Sequence, residues 1–269
     1  MPSKEYSVLM SVYGKTDPGN LREALESIMS QTIPPLEIII VEDGPVSPEV
    51  RGVISSFKET VRNVVLEKNS GLGIALNKGL SVVKTDLVAR MDDDDISLPD
   101  RMERELALFE EDPDLAIAGS DISEFKNDPS QREGTRKVPG DFEDIKRFSR
   151  KRNPFNHPSV MFSKKAVLEA GGYSGEYPLF EDYYLWVRLL MKGFRARNIN
   201  TVLLLMRTDD DTYKRRGGAK YAKDMLRFHR WMRKEGWSSM GDYLTGALPH
   251  AVICVLPNFL RRLIYSRLR

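Results

Sequence analysis

Two hydrophobic periods take turns along the first part of this chain. The run Tyr6 to Val12 is mostly apolar, as a strand buried on both faces would be. Asp17-Pro18-Gly19-Asn20 is turn chemistry with a helix cap, and Leu21, Ala24, Leu25, Ile28 and Met29 then recur at helical spacing. Leu36 to Val41 predicts a second buried strand, stopped by the sharp turn Glu42-Asp43-Gly44-Pro45. Val50 to Phe57 reads as a helix, Val64 to Glu67 as a third short strand, and Gly73 to Val83 as a helix. Leu87 to Met91 is a fourth strand, and Pro99 to Glu110 is a helix with proline near its start. Strands alternating with helices predict a parallel sheet covered on both faces. Ligands of such sheets bind beyond the carboxyl ends of the strands, where Tyr13, Asp43 and the run Asp92 to Asp95 all fall.

After Leu115 the pattern changes. Asp128 to Pro139 is polar and turn-rich, so an exposed loop is expected there. Phe142 to Phe148 predicts a short helix and Val160 to Phe162 a short strand. Glu181 to Met191 predicts a helix with apolar Leu185, Trp186, Leu189 and Leu190, and Val202 to Met206 another strand. This half is expected to extend the sheet and close a pocket. The expected division is an α/β body over residues 1–207 and a helical extension over 208–269.

Length, at 269 residues, suits one large α/β domain with an appendage, and 41% hydrophobic with 30% charged residues is ordinary for a soluble protein. One cysteine, Cys254, rules out an internal disulfide and fits a reducing compartment. The N-terminus enters its first strand without a basic-then-apolar leader, so a cytoplasmic protein is expected. A net charge of +2 conceals an asymmetry: residues 214–269 hold 13 Lys and Arg against 3 Asp and Glu. An acidic body with a basic end suggests that the end meets an anionic surface.

Candidate chemistry centres on Asp92 to Asp95. Adjacent carboxylates at a strand end repel one another unless a cation shares them, and a divalent metal held this way commonly binds phosphate oxygens. A solvated acidic turn is the competing reading. Asp43 either accepts hydrogen bonds from turn amides or contacts a nucleobase or ribose. Gly71-Leu72-Gly73, with Asn77 beyond, either opens a helix whose N–H groups approach phosphate or is a helix-entry turn with no ligand, since Leu76 breaks the dinucleotide fingerprint. Glu181-Asp182 either serves the N-terminus of its helix or supplies a general base, and Gly171-Gly172-Tyr173 permits a tight turn nearby. His157 is either a packing residue or a ligand contact, and His229 and His250 have no assigned role. Neither a zinc-spaced histidine pair, a Gly-x-Ser-x-Gly elbow nor a Walker-type loop is present, which argues against serine hydrolases and P-loop enzymes.

Five ordered segments resemble family 2 glycosyltransferases over roughly residues 5–210. They are Ser7 to Tyr13, Ile40 to Gly44, Asn69 to Gly79, Ala89 to Ile96 and Phe180 to Trp186. Asn153 to Phe162 and Tyr213 to Gly218 resemble the amylovoran- and capsule-type bacterial members. The resemblance implies a GT-A fold, a mixed sheet flanked by helices, and inverting transfer from a nucleotide-sugar, usually a UDP-sugar. It implies that Asp43 contacts the base, with Ser11, Val12 and Tyr13 lining the same pocket. Gly71, Asn77, Arg90, Asp93 and His157 would complete the donor site, and Arg215 and Arg216 would either close over the diphosphate or meet membrane or solvent. Asp92 would lie near ribose and sugar and, with Asp94, hold Mn2+ or Mg2+. Asp93 or Asp95 could share the ion. Asp182 would be the catalytic base, with Glu181 beside it. The Gln-x-x-Arg-Trp motif of processive members is not found, so transfer of a single sugar is expected.

Ala247 to Leu260 is apolar but spans only 14 residues, short of the roughly 20 needed to cross a bilayer. Within residues 258–269, Phe259, Leu260, Leu263, Ile264 and Leu268 share one helical face with Arg261, Arg262 and Arg269 largely opposite. That pattern predicts contact of residues 245–269 with an anionic membrane on its cytoplasmic face. A helix packed on the domain, or on a second subunit in a homo-oligomer, is the competing reading. A membrane surface suggests a lipid-linked saccharide acceptor in capsule or exopolysaccharide synthesis. The rival functions are a sugar nucleotidyltransferase and a non-catalytic carbohydrate- or lipid-binding scaffold. No nucleic-acid partner is expected, because no stacking-aromatic pattern accompanies the basic end.

Overall fold

Nine strands form one mixed sheet in the structure, a computed structural model that describes residues 5–208 and 217–256. They are β1 (Tyr6–Tyr13), β2 (Glu37–Asp43), β3 (Val61–Val65), β4 (Leu87–Arg90), β5 (Ile96–Ser97), β6 (Leu115–Phe125), β7 (Gly134–Arg136), β8 (Met161–Ser163) and β9 (Arg195–Arg207). Their order is β3-β2-β1-β4-β8-β6-β9-β5, with β7 paired on β6. The first four are parallel, and their register sets Tyr13 beside Asp43 and Leu9 beside Arg90. Three carboxyl ends therefore reach one edge, as the sequence predicts. β8 runs antiparallel to both β4 and β6, which makes the sheet mixed.

Side chains alternate across this sheet because successive residues of a strand face opposite ways. Val8, Met10, Val12, Ile38 and Ile40 pack with α1 (Pro18–Met29), α2 (Pro48–Ser56) and α4 (Arg101–Glu111). Leu9, Ile39 and Val41 pack instead with α3 (Leu72–Leu80), α6 (Lys164–Glu169) and α7 (Glu181–Met191). Both faces are apolar, which is why β1 and β2 read as apolar runs rather than alternating ones. The helix α3 settles unusually close to the sheet. A Cβ at Gly79 would come within 2.3 Å of Leu9 Cδ1 and 2.9 Å of Val41 Cγ2.

The second half departs from expectation in several places. β6, eleven residues and buried throughout, lies where no strand is predicted. The expected loop 128–139 contains β7, and β9 begins at Arg195 rather than Val202. α5 (Phe142–Phe148) and α7 match their predicted bounds. Beyond residue 216, α8 (Ala219–Lys234) and α9 (Leu248–Val255) bury Met225, Phe228, Met232, Ala251 and Cys254 against Tyr177, Phe180, Tyr183 and Val187. The C-terminal helices thus dock on the same helix that carries Glu181 and Asp182. Arg215, Arg216 and the residues 257–269 lie outside the described residues. No described helix is long and apolar enough to cross a membrane.

Candidate active site

The aspartate run leaves the end of β4 and immediately splits. Ligand oxygens of Asp92, Asp94 and Asp95 lie within 4.8 Å of one another. Asp93 turns elsewhere and accepts a hydrogen bond from the Thr16 hydroxyl, whose oxygen in turn accepts the Tyr13 N–H at 3.0 Å. Asp95 is buried; its Oδ1 accepts the Arg207 N–H at 2.8 Å, while Oδ2 has no hydrogen-bond partner. Arg207 also donates from Nε to the Asp94 carbonyl at 3.0 Å and stacks on Phe125, 4.5 Å from the ring centre.

Burial is the main reason Asp93, Asp94 and Asp95 resist ionisation, and the neighbouring acids add to it. Asp93 is pushed up to about 6 by burial, against the Thr16 hydrogen bond that favours its anion. Asp94 rises to about 7 through burial and then the charges of Asp92 and Asp93. Asp95 is raised well above the ordinary range by burial, Asp92 and Asp94. Two guanidiniums do not balance four acids here. Hard oxygen donors, an unpartnered buried carboxylate oxygen and acids crowded enough to disfavour their own anions together fit a divalent cation.

Arg90 is buried in the middle of the site and ion-pairs with Asp92, while its Nε and Nη1 have no partner. Burial works against its charge, but Asp92, Tyr173 and Asp95 together outweigh that and raise its pKa. Its charge partly offsets the burial of both Asp94 and Glu181, so it links the two acidic groups electrostatically. His157 Nε2 lies 2.9 Å from the Tyr173 hydroxyl, and its ring packs on Trp186. Burial, and then Arg90, push its pKa well down, so the imidazole is neutral. These contacts give His157 a packing and hydrogen-bonding role.

Glu181 and Asp182 form the first turn of α7. Asp182 Oδ1 accepts the Tyr183 N–H at 2.7 Å, and its Oδ2 accepts Asn153 Nδ2 at 2.7 Å. Glu181 is pushed up to about 7 by burial and by the Asp182 charge. The loop before α7 turns through Gly171 and Gly172, both at positive φ. It is held by Asn77, whose Oδ1 accepts the Tyr173 N–H at 2.9 Å and whose Nδ2 donates to the Tyr173 carbonyl at 2.6 Å.

At the neighbouring strand end, Asp43 is buried and accepts the Ser70 and Gly71 N–H groups at 2.6 and 2.9 Å. The Gly71 N–H is therefore directed to Asp43. Each Asp43 oxygen keeps a second lone pair. Ser11 and Tyr13 are half-buried beside it, and Val12 is fully buried. Ser11 Oγ donates to the Val41 carbonyl at 3.3 Å.

Several residues of the site are not marked by the sequence reading. Asn153, Thr16 and Arg207 each bind a carboxylate or backbone group of the acidic run or of Asp182. Arg101 is fully buried and donates from Nη2 to the Arg90 carbonyl at 3.0 Å and from Nε to Glu105 at 3.1 Å. Only Asn153 carries a prior signal, because it opens the motif that resembles bacterial polysaccharide enzymes.

Comparison with known proteins agrees with this architecture. The model of the family described as Glycosyl transferase family 2 matches residues 7–172. The chain is 39% identical over 265 residues to an Escherichia coli UDP-Gal:alpha-D-GlcNAc-diphosphoundecaprenol beta-1,3-galactosyltransferase, covering 98% of this chain and 96% of that one. It is 39% identical to the amylovoran biosynthesis glycosyltransferase AmsE of Erwinia amylovora, covering 84% of each. Among solved structures, the Pyrobaculum calidifontis mannosyltransferase PcManGT in complex with GDP-Man and Mn2+ superposes with TM-score 0.65 at 16% identity, over 100% of this chain and 82% of that one. S. aureus TarS 1-349 in complex with UDP-GlcNAc superposes with TM-score 0.63 at 14% identity, over 82% of this chain and 64% of that one. These likenesses show a GT-A fold.

Proposed function

The chain belongs to glycosyl transferase family 2 and is a glycosyltransferase, and from this we propose that it moves one sugar from a UDP-sugar to a lipid-diphosphate-linked saccharide in bacterial surface polysaccharide synthesis. One observation carries the reading: the Asp92, Asp94 and Asp95 oxygens converge at the end of β4, and Arg90 joins that cluster electrostatically to Glu181, the neighbour of Asp182. A donor site and a base thereby share one edge of the sheet. The acceptor class is supported by the printed activity of the Escherichia coli relative.

Asp43, with Ser11, Val12 and Tyr13, lines the base and ribose side. Asp92, Asp94 and Asp95 would hold Mn2+ or Mg2+, which when bound supplies Lewis-acid neutralisation of the donor's diphosphate charge. Asp182 takes the proton of an acceptor hydroxyl. The hydroxyl oxygen bonds to the anomeric carbon on the face opposite the diphosphate. The bond from that carbon to the diphosphate oxygen breaks, UDP leaves with the electron pair, and configuration inverts. Asn153 holds the Asp182 carboxylate in place through its 2.7 Å hydrogen bond. Residues 245–269 meet the anionic cytoplasmic face of the membrane, where a lipid-linked acceptor resides.

The test is a panel of UDP-sugars, UDP-galactose first, with a short-chain lipid-diphosphate N-acetylglucosamine acceptor, in Mn2+ and in EDTA. Metal-dependent UDP release with a product heavier by one sugar is expected. Pyrophosphate exchange without sugar transfer would identify a nucleotidyltransferase instead.

A further inference from the structure

The C-terminal helices leave one apolar stripe uncovered. Met240, Leu244, Leu248, Val252 and Val255 are 43–55% exposed and recur every three or four residues. They begin in the helical turn Met240–Asp242, continue through the π-helical Tyr243–Ala247 and end in α9. Fifteen residues of helical rise make a stripe about 22 Å long. The opposite side is already used: Ala247, Ala251 and Cys254 are buried.

Cations gather along the same segment. Arg233 Nη1 lies 3.1 Å from Met240 Sδ, and its guanidinium is 5.9 Å from the Tyr243 ring centre. Lys151 pairs with Asp242 at 3.4 Å, and its Cβ would be 3.0 Å from a Cβ at Gly246. Arg152 is exposed, and its charge adds to burial in lowering the pKa of His250. Asp242 is the one acidic residue between 236 and 256, and Lys151 neutralises it.

We propose that this stripe and its basic rim of Lys151, Arg152 and Arg233 form the surface by which the enzyme seats on an anionic phospholipid bilayer. The inference deepens the membrane-acceptor reading given above and rests on it. Apolar side chains enter the acyl boundary while cations meet the headgroups, the arrangement of interfacial helices. A second copy of the chain fits less well, because a two-fold contact would set each basic rim against itself. The seat also has a catalytic consequence. Lys151 and Arg152 directly precede Asn153, which binds Asp182. Ser149, just before them, accepts from the Tyr183 hydroxyl at 2.7 Å through its carbonyl and from Trp237 Nε1 at 3.1 Å through its hydroxyl. Together with the Lys151–Asp242 pair, these contacts join the first turn of the stripe, the 149–153 segment and the start of α7. A bilayer under the stripe therefore lies close to the base that must reach a lipid-anchored acceptor.

Flotation of the full chain with phosphatidylcholine vesicles, with and without phosphatidylglycerol, tests this. The wild type should float with the anionic vesicles. The double variant Leu244→Glu/Val252→Glu, and separately Lys151→Glu/Arg152→Glu, should each lower recovery by about tenfold or more. Circular dichroism should show both variants folded, since the replaced side chains are exposed or half-buried at the surface. Leu244→Glu/Val252→Glu should keep metal-dependent transfer to the short-chain acceptor while losing transfer to full-length acceptor in vesicles. Undiminished flotation of the stripe variant overturns the proposal, as does a dimer in light scattering that this variant abolishes. Absence of transfer by the wild type to any acceptor, with flotation intact, would instead sink the glycosyltransfer assignment and leave the lipid seat standing.

Discussion

Asn77 on α3 grips the backbone of Tyr173 at both ends of one residue, accepting its N–H at 2.9 Å and donating to its carbonyl at 2.6 Å. Ninety-six positions separate the two, so the pair fastens α3 to the loop that leads into Glu181 and Asp182. Arg188 grips the same loop from α7, donating to the Ala170 and Gly172 carbonyls at 2.7 and 2.5 Å. Asn77→Ala leaves an N–H and a C=O of Tyr173 unpaired. The loss should be about 2–3 kcal/mol of stability by urea denaturation, with faster amide exchange at Tyr173. A wild-type denaturation curve from the variant would show that the grip is dispensable.

Asp182 and Asn153 make a second test. Asp182→Asn should keep donor affinity, read by titration calorimetry with UDP, and lose roughly two to four powers of ten in transfer rate. Asn153→Ala should lower kcat by about tenfold with little change in donor KM, because it only orients the carboxylate. Unchanged turnover by Asp182→Asn would remove that residue from the chemistry.

The split within the aspartate run predicts unequal metal phenotypes. Asp94→Asn and Asp95→Asn should raise the Mn2+ concentration for half-maximal rate by about tenfold or more. Asp93→Asn should move it by less than about threefold, since Asp93 is directed to Thr16. Equal shifts in all three variants would contradict the placement of the oxygens described above.

Buried Glu105, the ion-pair partner of Arg101, makes stability depend on pH. Its pKa is pushed up to about 7 by burial, with Arg101 opposing. A free glutamate titrates near about 4.3, so the folded protein holds the extra proton between about 4.3 and 7. This group's contribution is therefore complete at low pH and is lost as pH rises toward 7. Comparing Glu105→Gln with wild type at pH 5 and pH 8, the variant should gain on the order of 3 kcal/mol relative to wild type at the higher pH. The same stability difference at both values would show that Glu105 ionises normally.

Much of the first half was legible because its signals are local. Apolar runs mark β1 and β2, helical spacing marks α1, with its Asp17 cap, and α2, and the Gly44 turn closes β2. Such features depend on a residue and its near neighbours in the chain. β6 was hidden for the opposite reason. Gly119, Ser120, Asp121, Ser123 and Glu124 interrupt its apolar pattern. They can be buried because distant groups satisfy several of them: Asn156 donates to the Ser120 carbonyl at 2.9 Å, and Val138 N–H to Asp121 at 2.9 Å. Sequence by itself determined the order of elements as far as β4, the acidic strand end and the paired acids that open α7. Only the tertiary structure decided which aspartates converge, what Asn77 and Asn153 hold, and that Arg101 is buried beneath Arg90. Those outcomes are set by contacts between residues tens of positions apart, and chain spacing does not encode the directions from which such groups meet.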